Sequence, residues 1–116
     1  TWLIDRQVKN YSRNIPIHIT ENGMANNDIL IKETKSVNDQ DRIKYYESHL
    51  LELNNLIARE YPIKSYFAWS LMDNFEWSYG YEKRFGLVHI DFNTQVRTPK
   101  DSYYAFQKAL NPSLQL

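Results

Sequence analysis

Residues 39–69 read DQDRIKYYESHLLELNNLIAREYPIKSYFAW, and two different periodicities meet inside them. Ile43, Tyr46, Leu50, Leu53 and Ile57 recur at intervals of 3, 4, 3 and 4. That stripe predicts a helix from Asp39 to about Glu60 with one face turned to a core. Tyr61-Pro62 stops it, and Ile63-Lys64-Ser65-Tyr66-Phe67-Ala68-Trp69 then reads as a short, mostly buried strand. Upstream, the β-branched run Ile17-His18-Ile19-Thr20 predicts another strand, ending in Glu21-Asn22-Gly23, where Asn-Gly is a strong turn signal. Strand, helix, strand in this order is a βα unit of a parallel sheet.

The flanks extend the same pattern. Ile4, Val8 and Tyr11 predict a short amphipathic helix over residues 1–13, broken before Pro16. Residues 24–38 are polar and irregular and read as a loop. Residues 70–84 form an insertion dense in aromatics and acids. Phe85 to Phe92 alternates like a strand, a turn follows at Asn93-Thr94, and Pro99 and Asp101 open a last helix. Its Tyr103, Phe106 and Leu110 are expected to face inward, and Pro112 is expected to end it.

Two parallel strands neither close a sheet nor bury both faces. A (β/α)8 TIM barrel takes about 250 residues, so 116 residues fit only its final βα units. The expected fold is therefore α/β and an incomplete barrel. Residues 1–116 show no linker, repeat or second domain, and the chain opens at Thr1 directly in a helix, as a segment of a longer protein would.

Composition narrows the function classes. Fourteen basic and fourteen acidic residues are mixed along the chain, giving zero formal net charge, so no basic stripe is present to attract nucleic acid. No apolar run approaches the roughly 20 residues of a membrane span. There is no cysteine, which excludes disulfide scaffolds and thiolate metal sites. Compartment stays open, with only a slight lean to the cytoplasm. His18 and His89 fall within strands and read as structural, while His49 lies on the long helix near its surface. No histidine pair has metal-ligand spacing with acids, so neither a metal nor a cofactor is expected.

Chemistry-bearing residues gather in two places. Glu21 puts a carboxylate at a strand end, where barrels keep their catalytic groups, although an acid before a turn is also an ordinary surface residue. The second place is Trp69-Ser70-Leu71-Met72-Asp73-Asn74-Phe75-Glu76-Trp77. A sugar presents an apolar C–H face and a rim of hydroxyls, so its site needs an aromatic plate beside a hydrogen-bonding carboxylate. Trp69, Glu76 and Trp77 supply both. A packed loop with buried tryptophans would use the same residues.

Taken together, the two segments resemble glycoside hydrolase family 1. Ile19-Thr20-Glu21-Asn22-Gly23 is similar to that family's nucleophile motif. Residues 69–77, with Gly80-Tyr81 and Lys83-Arg84-Phe85-Gly86-Leu87, are similar to its C-terminal signature. The resemblance covers essentially the whole chain in order and spacing. It implies that the strands are the seventh and eighth of the barrel and that Glu21 is the catalytic nucleophile. It further implies Trp69 as the platform under the sugar, Glu76 on its O4 and O6 hydroxyls, Trp77 on O3, and Phe85 lining the pocket. The substrate would be a β-glucoside or related oligosaccharide.

A retaining glycosidase needs two carboxyl groups about 5–5.5 Å apart, one a nucleophile and the other an acid and then a base. In the family the second lies in an Asn-Glu-Pro motif on strand four, and this chain contains no such tripeptide. The N-terminal remainder of the barrel is thus an expected partner, and the piece alone is expected to be inactive. In the family's 6-phosphoglycosidases the position of Glu76 is usually Ser and that of Phe85 usually Tyr. Glu76 and Phe85 therefore point to unphosphorylated sugars, glucose first, with galactose, fucose or mannose also compatible. A non-catalytic carbohydrate-binding or interaction protein on the same scaffold is the alternative, as is a truncation product without function.

Overall fold

The computed structural model describes residues 2–12 and 14–111. Its centre is the unit read from the sequence. Strand β1 (Ile17–Asn22) leads through helix α2 (Gln40–Ala58) to strand β4 (Ile63–Ala68), which pairs parallel with β1. The register runs Ile17↔Ile63, His18↔Ser65, Ile19↔Tyr66 and Asn22↔Ala68. Three steps along β1 between Ile19 and Asn22 therefore oppose two along β4. The extra residue falls in Thr20-Glu21, and a bulge of this kind re-aims side chains. Accordingly Ile17, Ile19 and Asn22 are half-buried, while His18, Thr20 and Glu21 are exposed.

Helix α2 rotates away from the expected stripe. Its buried residues are Arg42, Tyr46, Leu53 and Leu56, whereas Ile43 and Leu50 are half-buried and Ile57 is 49% exposed. The reason is Arg42, drawn inward by two carboxylates, which turns that side of the helix to the interior. Ile43 and Leu50 instead line a shallow groove with Ala105, Phe106 and Ala109 of helix α3 (Asp101–Leu110). At its C-terminus the Tyr61 N–H donates to Leu56 O (3.1 Å) and the Glu60 N–H to Ile57 O (2.9 Å), with Glu60 at φ 62°. This is the Schellman arrangement, with Glu in the left-handed position usually given to glycine.

The regions around this unit depart further from expectation. Residues 24–38 are not wholly irregular, because β2 (Leu30–Ile31) and β3 (Ser36–Val37) pair antiparallel and bury Val37. Of residues 85–92 only β5 (Val88–Ile90) is a strand. It pairs antiparallel with β6 (Arg97–Pro99) across a turn in which Asp91 Oδ1 accepts from the Asn93 and Thr94 N–H groups. The apolar run thus belongs to a hairpin beside the parallel pair. The first helix, α1 (Trp2–Gln7), continues as a π-helical turn over Val8–Ser12, and Tyr11 is exposed. Asp5 accepts from the Tyr61 hydroxyl and pairs with Arg59 (3.4 Å), tying α1 to the end of α2.

In α3, Tyr103 and Phe106 are half-buried, but Leu110 is 67% exposed. These three side chains form one wall of an open apolar cleft of about 370 Å³, whose other wall includes Tyr66, Ala68, Leu71 and Leu87. Leu110 points at that open space, so it lacks the cover expected from its spacing. Pro112 lies outside the described residues. Those residues form no closed barrel, and β1 and β4 each keep one free edge.

Candidate active site

The C-terminal ends of β1 and β4 are stitched backbone to backbone. The Trp69 N–H donates to Asn22 O (2.8 Å), the Ser70 N–H to Phe85 O (3.2 Å), and the Leu87 N–H to Ser70 O (2.9 Å). The Tyr46 hydroxyl reaches Trp69 O from α2 (3.2 Å). Glu21, Trp69 and Phe85 consequently sit on three adjacent stretches of chain, at the strand ends where barrel chemistry is done. Glu21 is exposed, and Trp69 and Phe85 are half-buried.

Gly23 makes this approach possible. A Cβ there would lie 1.8 Å from Trp69 O, so no side chain fits. Gly23→Ala is expected to destabilise the folded protein by about 1–3 kcal/mol, the scale of overpacking against a fixed neighbour. A drop in the denaturation midpoint measures it.

Asn22, next to Glu21, is held from both sides. Its amide donates to the Tyr45 hydroxyl (2.9 Å) and its carbonyl accepts from the Tyr66 hydroxyl (2.7 Å). Burial pushes the Tyr66 phenol well above the ordinary tyrosine value and the Tyr46 phenol up to about 12, so both stay neutral donors at any physiological pH.

Glu76 and Trp77 stand further out, at the tip of the loop that leaves β4 and returns at Phe85. The Glu76 N–H donates to Gly80 O (2.7 Å), and a 3-10 turn covers Trp77–Tyr79. Glu76 is half-buried and Trp77 is 83% exposed. Among the described residues no hydrogen bond joins Glu21 to Trp69, Glu76, Trp77 or Phe85. The fold brings three of the five together and holds the other two on a neighbouring projection.

Behind this surface lies an ion network that sequence reading missed. Asp28 receives Arg42 through two bonds (3.0 and 2.7 Å) and also the Lys100 ammonium. Asp39 accepts from Arg42, from the Ser102 N–H (2.9 Å) and from the Ser102 hydroxyl (2.5 Å). Asp73 accepts from Lys100 (2.8 Å), Arg84 (2.6 Å) and the Gly86 N–H (2.9 Å). Apart from Arg84, these charged side chains have no exposure, and three acids balance three bases. Burial works against the charge on Arg42, yet its bonds to Asp28 and Asp39 lift its pKa above that of a free arginine. His89, buried nearby on β5, is held neutral, with its pKa lowered by burial and by Arg84. One signal was available: Arg42 falls four residues before Tyr46, on the helix's inward side.

The positions expected to be structural histidines behave in two ways. His18 is exposed on β1 and shares a hydrogen bond with Ser65 on β4 (2.7 Å), while His89 is buried. His49 is half-buried and stacks on Tyr45 at 4.0 Å between ring centroids.

Comparison with known proteins places this geometry. The sequence model described as glycosyl hydrolase family 1 matches residues 2–113. The chain is 56% identical over 85 residues to a β-glucosidase of an Agrobacterium species, covering 73% of this chain and 18% of that protein. It is 47% identical over 105 residues to a 6-phospho-β-galactosidase of Staphylococcus epidermidis, covering 90% and 22%. The solved family 1 β-glucosidase from Thermotoga maritima superposes with a TM-score of 0.90 at 40% identity, over 95% of this chain and 25% of that one. The chain thus spans about a quarter or less of these relatives. Strands β1 and β4 correspond to strands seven and eight of the TIM barrel. On the match across nearly its whole length, this chain belongs to glycosyl hydrolase family 1.

Proposed function

We propose that residues 1–116 are the C-terminal portion of a single catalytic domain, a retaining β-glycosidase in which Glu21 is the nucleophile. The observation that carries this reading is the bulge at Thr20-Glu21. It leaves an exposed carboxylate at the C-terminal end of β1, beside the backbone of Trp69. In the first half-reaction Glu21 attacks the anomeric carbon while the aglycone oxygen departs with a proton from the partner acid. In the second, water releases the sugar from Glu21 and gives a proton back to that same group. The acid/base carboxyl comes from the remainder of the barrel, since no Asn-Glu-Pro lies in this sequence.

Trp69 serves as the platform under the sugar, Glu76 takes its O4 and O6 hydroxyls, Trp77 its O3, and Phe85 lines the pocket. The barrel's remainder also covers what is open here. That includes the apolar cleft against α3 and a second cleft of about 350 Å³ lined by Ile19, Glu21, Leu53 and Leu56, among others. Free strand edges and uncovered apolar walls make the isolated piece prone to associate, and it has half of a catalytic pair. It is expected to be inactive alone.

The relatives are named for both unphosphorylated and 6-phosphorylated substrates, so the residues must decide. A carboxylate at position 76 repels a 6-phosphate dianion in a partly dry pocket, which favours an unphosphorylated sugar. In the complete barrel, Glu76→Ser is expected to lower kcat/KM on an aryl β-glucoside about 10²-fold, the loss of hydrogen bonds to a charged group. It should also raise the ratio of 6-phosphoglucoside to glucoside turnover, and an unchanged ratio would remove Glu76 from substrate choice. The function itself is tested by proton NMR of early turnover of that glucoside. The first-formed sugar should be the β-anomer; an α-anomer, or no turnover, overturns the retaining mechanism.

A further inference from the structure

We infer that Asp73 is a positioning residue, a buried carboxylate that sets where Glu76 meets the sugar without touching the sugar itself. The inference rests on the reading of Glu76 as the O4 and O6 ligand.

The loop between Trp69 and Leu87 has a neck and a tip, and Asp73 is the neck's tie. Its Oδ1 accepts from the Gly86 N–H (2.9 Å) and Lys100 (2.8 Å), and its Oδ2 from Arg84 (2.6 Å) and the Ile90 N–H (3.4 Å). Its own N–H donates to Val88 O (3.0 Å). Backbone bonds at Ser70 and Leu71 already join the outgoing arm to the returning one. Asp73 adds the side-chain tie nearest the tip, and Lys100 fixes it to the start of α3. Packing at this point is tight: a Cβ on Gly86 would lie 2.2 Å from the Asp73 nitrogen. Such closeness leaves the two arms one relative placement.

Glu76 is three residues beyond that tie. Between them the tip is held by lighter contacts. The Asn74 amide reaches Ser70 Oγ (3.1 Å) and Met72 O (3.2 Å), the Phe75 and Tyr81 rings meet edge to face, and the Glu76–Gly80 turn closes on itself. The tip's orientation is inherited from the neck. Asp73 has no exposed side-chain surface, so a direct role on the substrate is excluded. Asp39 offers the contrast. It is equally buried, and its carboxylate accepts three bonds, but these join α2 to α3 and none comes from residues 70–87.

The test uses the complete barrel and counts activity per folded molecule. Asp73→Asn keeps the shape, but it removes the charge and sets an amide N–H against either Arg84 or Lys100 and the Gly86 N–H. It should lower kcat/KM on an aryl β-glucoside about 10²-fold, the cost of roughly 1 Å of misplacement. The loss should largely vanish on the matching 4,6-dideoxy glucoside, which has no hydroxyls for Glu76 to hold. In a Glu76→Ala background, Asp73→Asn should cost nothing further. Asp39→Asn should lower the denaturation midpoint while leaving kcat/KM of the folded enzyme unchanged. Equal losses on both substrates, or additivity with Glu76→Ala, overturn the positioning role. If Glu76→Ala fails to discriminate the two substrates, the reading of Glu76 falls, and this inference with it. Should Asp73→Asn not fold, Arg84→Lys weakens the same tie from a partly exposed side chain. It must then show a smaller loss confined to the glucoside.

Discussion

Glu21→Gln in the complete barrel is expected to abolish hydrolysis of an aryl β-glucoside, with kcat falling on the order of 10⁴-fold or more, the scale of removing a covalent nucleophile. The amide has nearly the carboxylate's shape, so the bulge at Thr20-Glu21 and the Trp69–Asn22 hydrogen bond stay in place. What is lost is chemical. A neutral amide neither attacks the anomeric carbon nor stabilises the positive charge that develops on the sugar in the transition state. Substrate affinity should change far less than kcat, because Trp69, Glu76 and Trp77 are untouched. Steady-state kinetics on the purified variant measures the effect, and turnover near that of the parent would remove Glu21 from the mechanism.

Arg42→Met is expected to cost about 3–5 kcal/mol of stability, the penalty for breaking a buried ion pair from one side. Arg42 is buried and binds Asp28 through both terminal nitrogens, Asp39, and the Arg84 carbonyl (2.8 Å). Methionine fills most of the volume but leaves two carboxylates short of a cation in a dry interior. Those carboxylates hold the loop after β1 and the starts of α2 and α3 together, so the loss is felt across the whole unit. A fall in the chemical denaturation midpoint of the complete barrel reports it. Asp28→Asn added to Arg42→Met should cost less than the two single losses summed, because the residues share one network.

The central βα unit was legible because its two periods are clean. The 3–4 spacing through Tyr46 and Leu53 and the apolar run after Pro62 left little choice of element or order. Exact facing was not legible. A stripe counted on apolar residues alone cannot include Arg42, which the fold buries with Asp28 and Asp39, and so it turns Ile57 inward, whereas Ile57 lies half in solvent. The run from Phe85 to Phe92 read as one strand because alternation reports neither a strand's ends nor its partner. Only Val88–Ile90 is a strand, and the segment beyond the turn, Arg97–Pro99, pairs with it without an apolar pattern to mark it. Leu110 faces an open cleft, because apolar spacing reports which side of a helix a residue lies on and not whether anything covers that side. At the site, Glu21 and the residues from Trp69 to Phe85 were found through motif. Their backbone contacts, and the neck at Asp73, depend on chain segments that only folding brings together.

The most direct test of the central claim is covalent trapping. The complete barrel is quenched during turnover of a slow, activated β-glucoside, digested, and sequenced by mass spectrometry. The peptide containing Glu21 should carry the added mass of one sugar residue, attached at that carboxylate and absent from Glu21→Gln. A sugar found on any other carboxylate, or none on a protein that is turning over, would contradict the assignment of Glu21 as nucleophile.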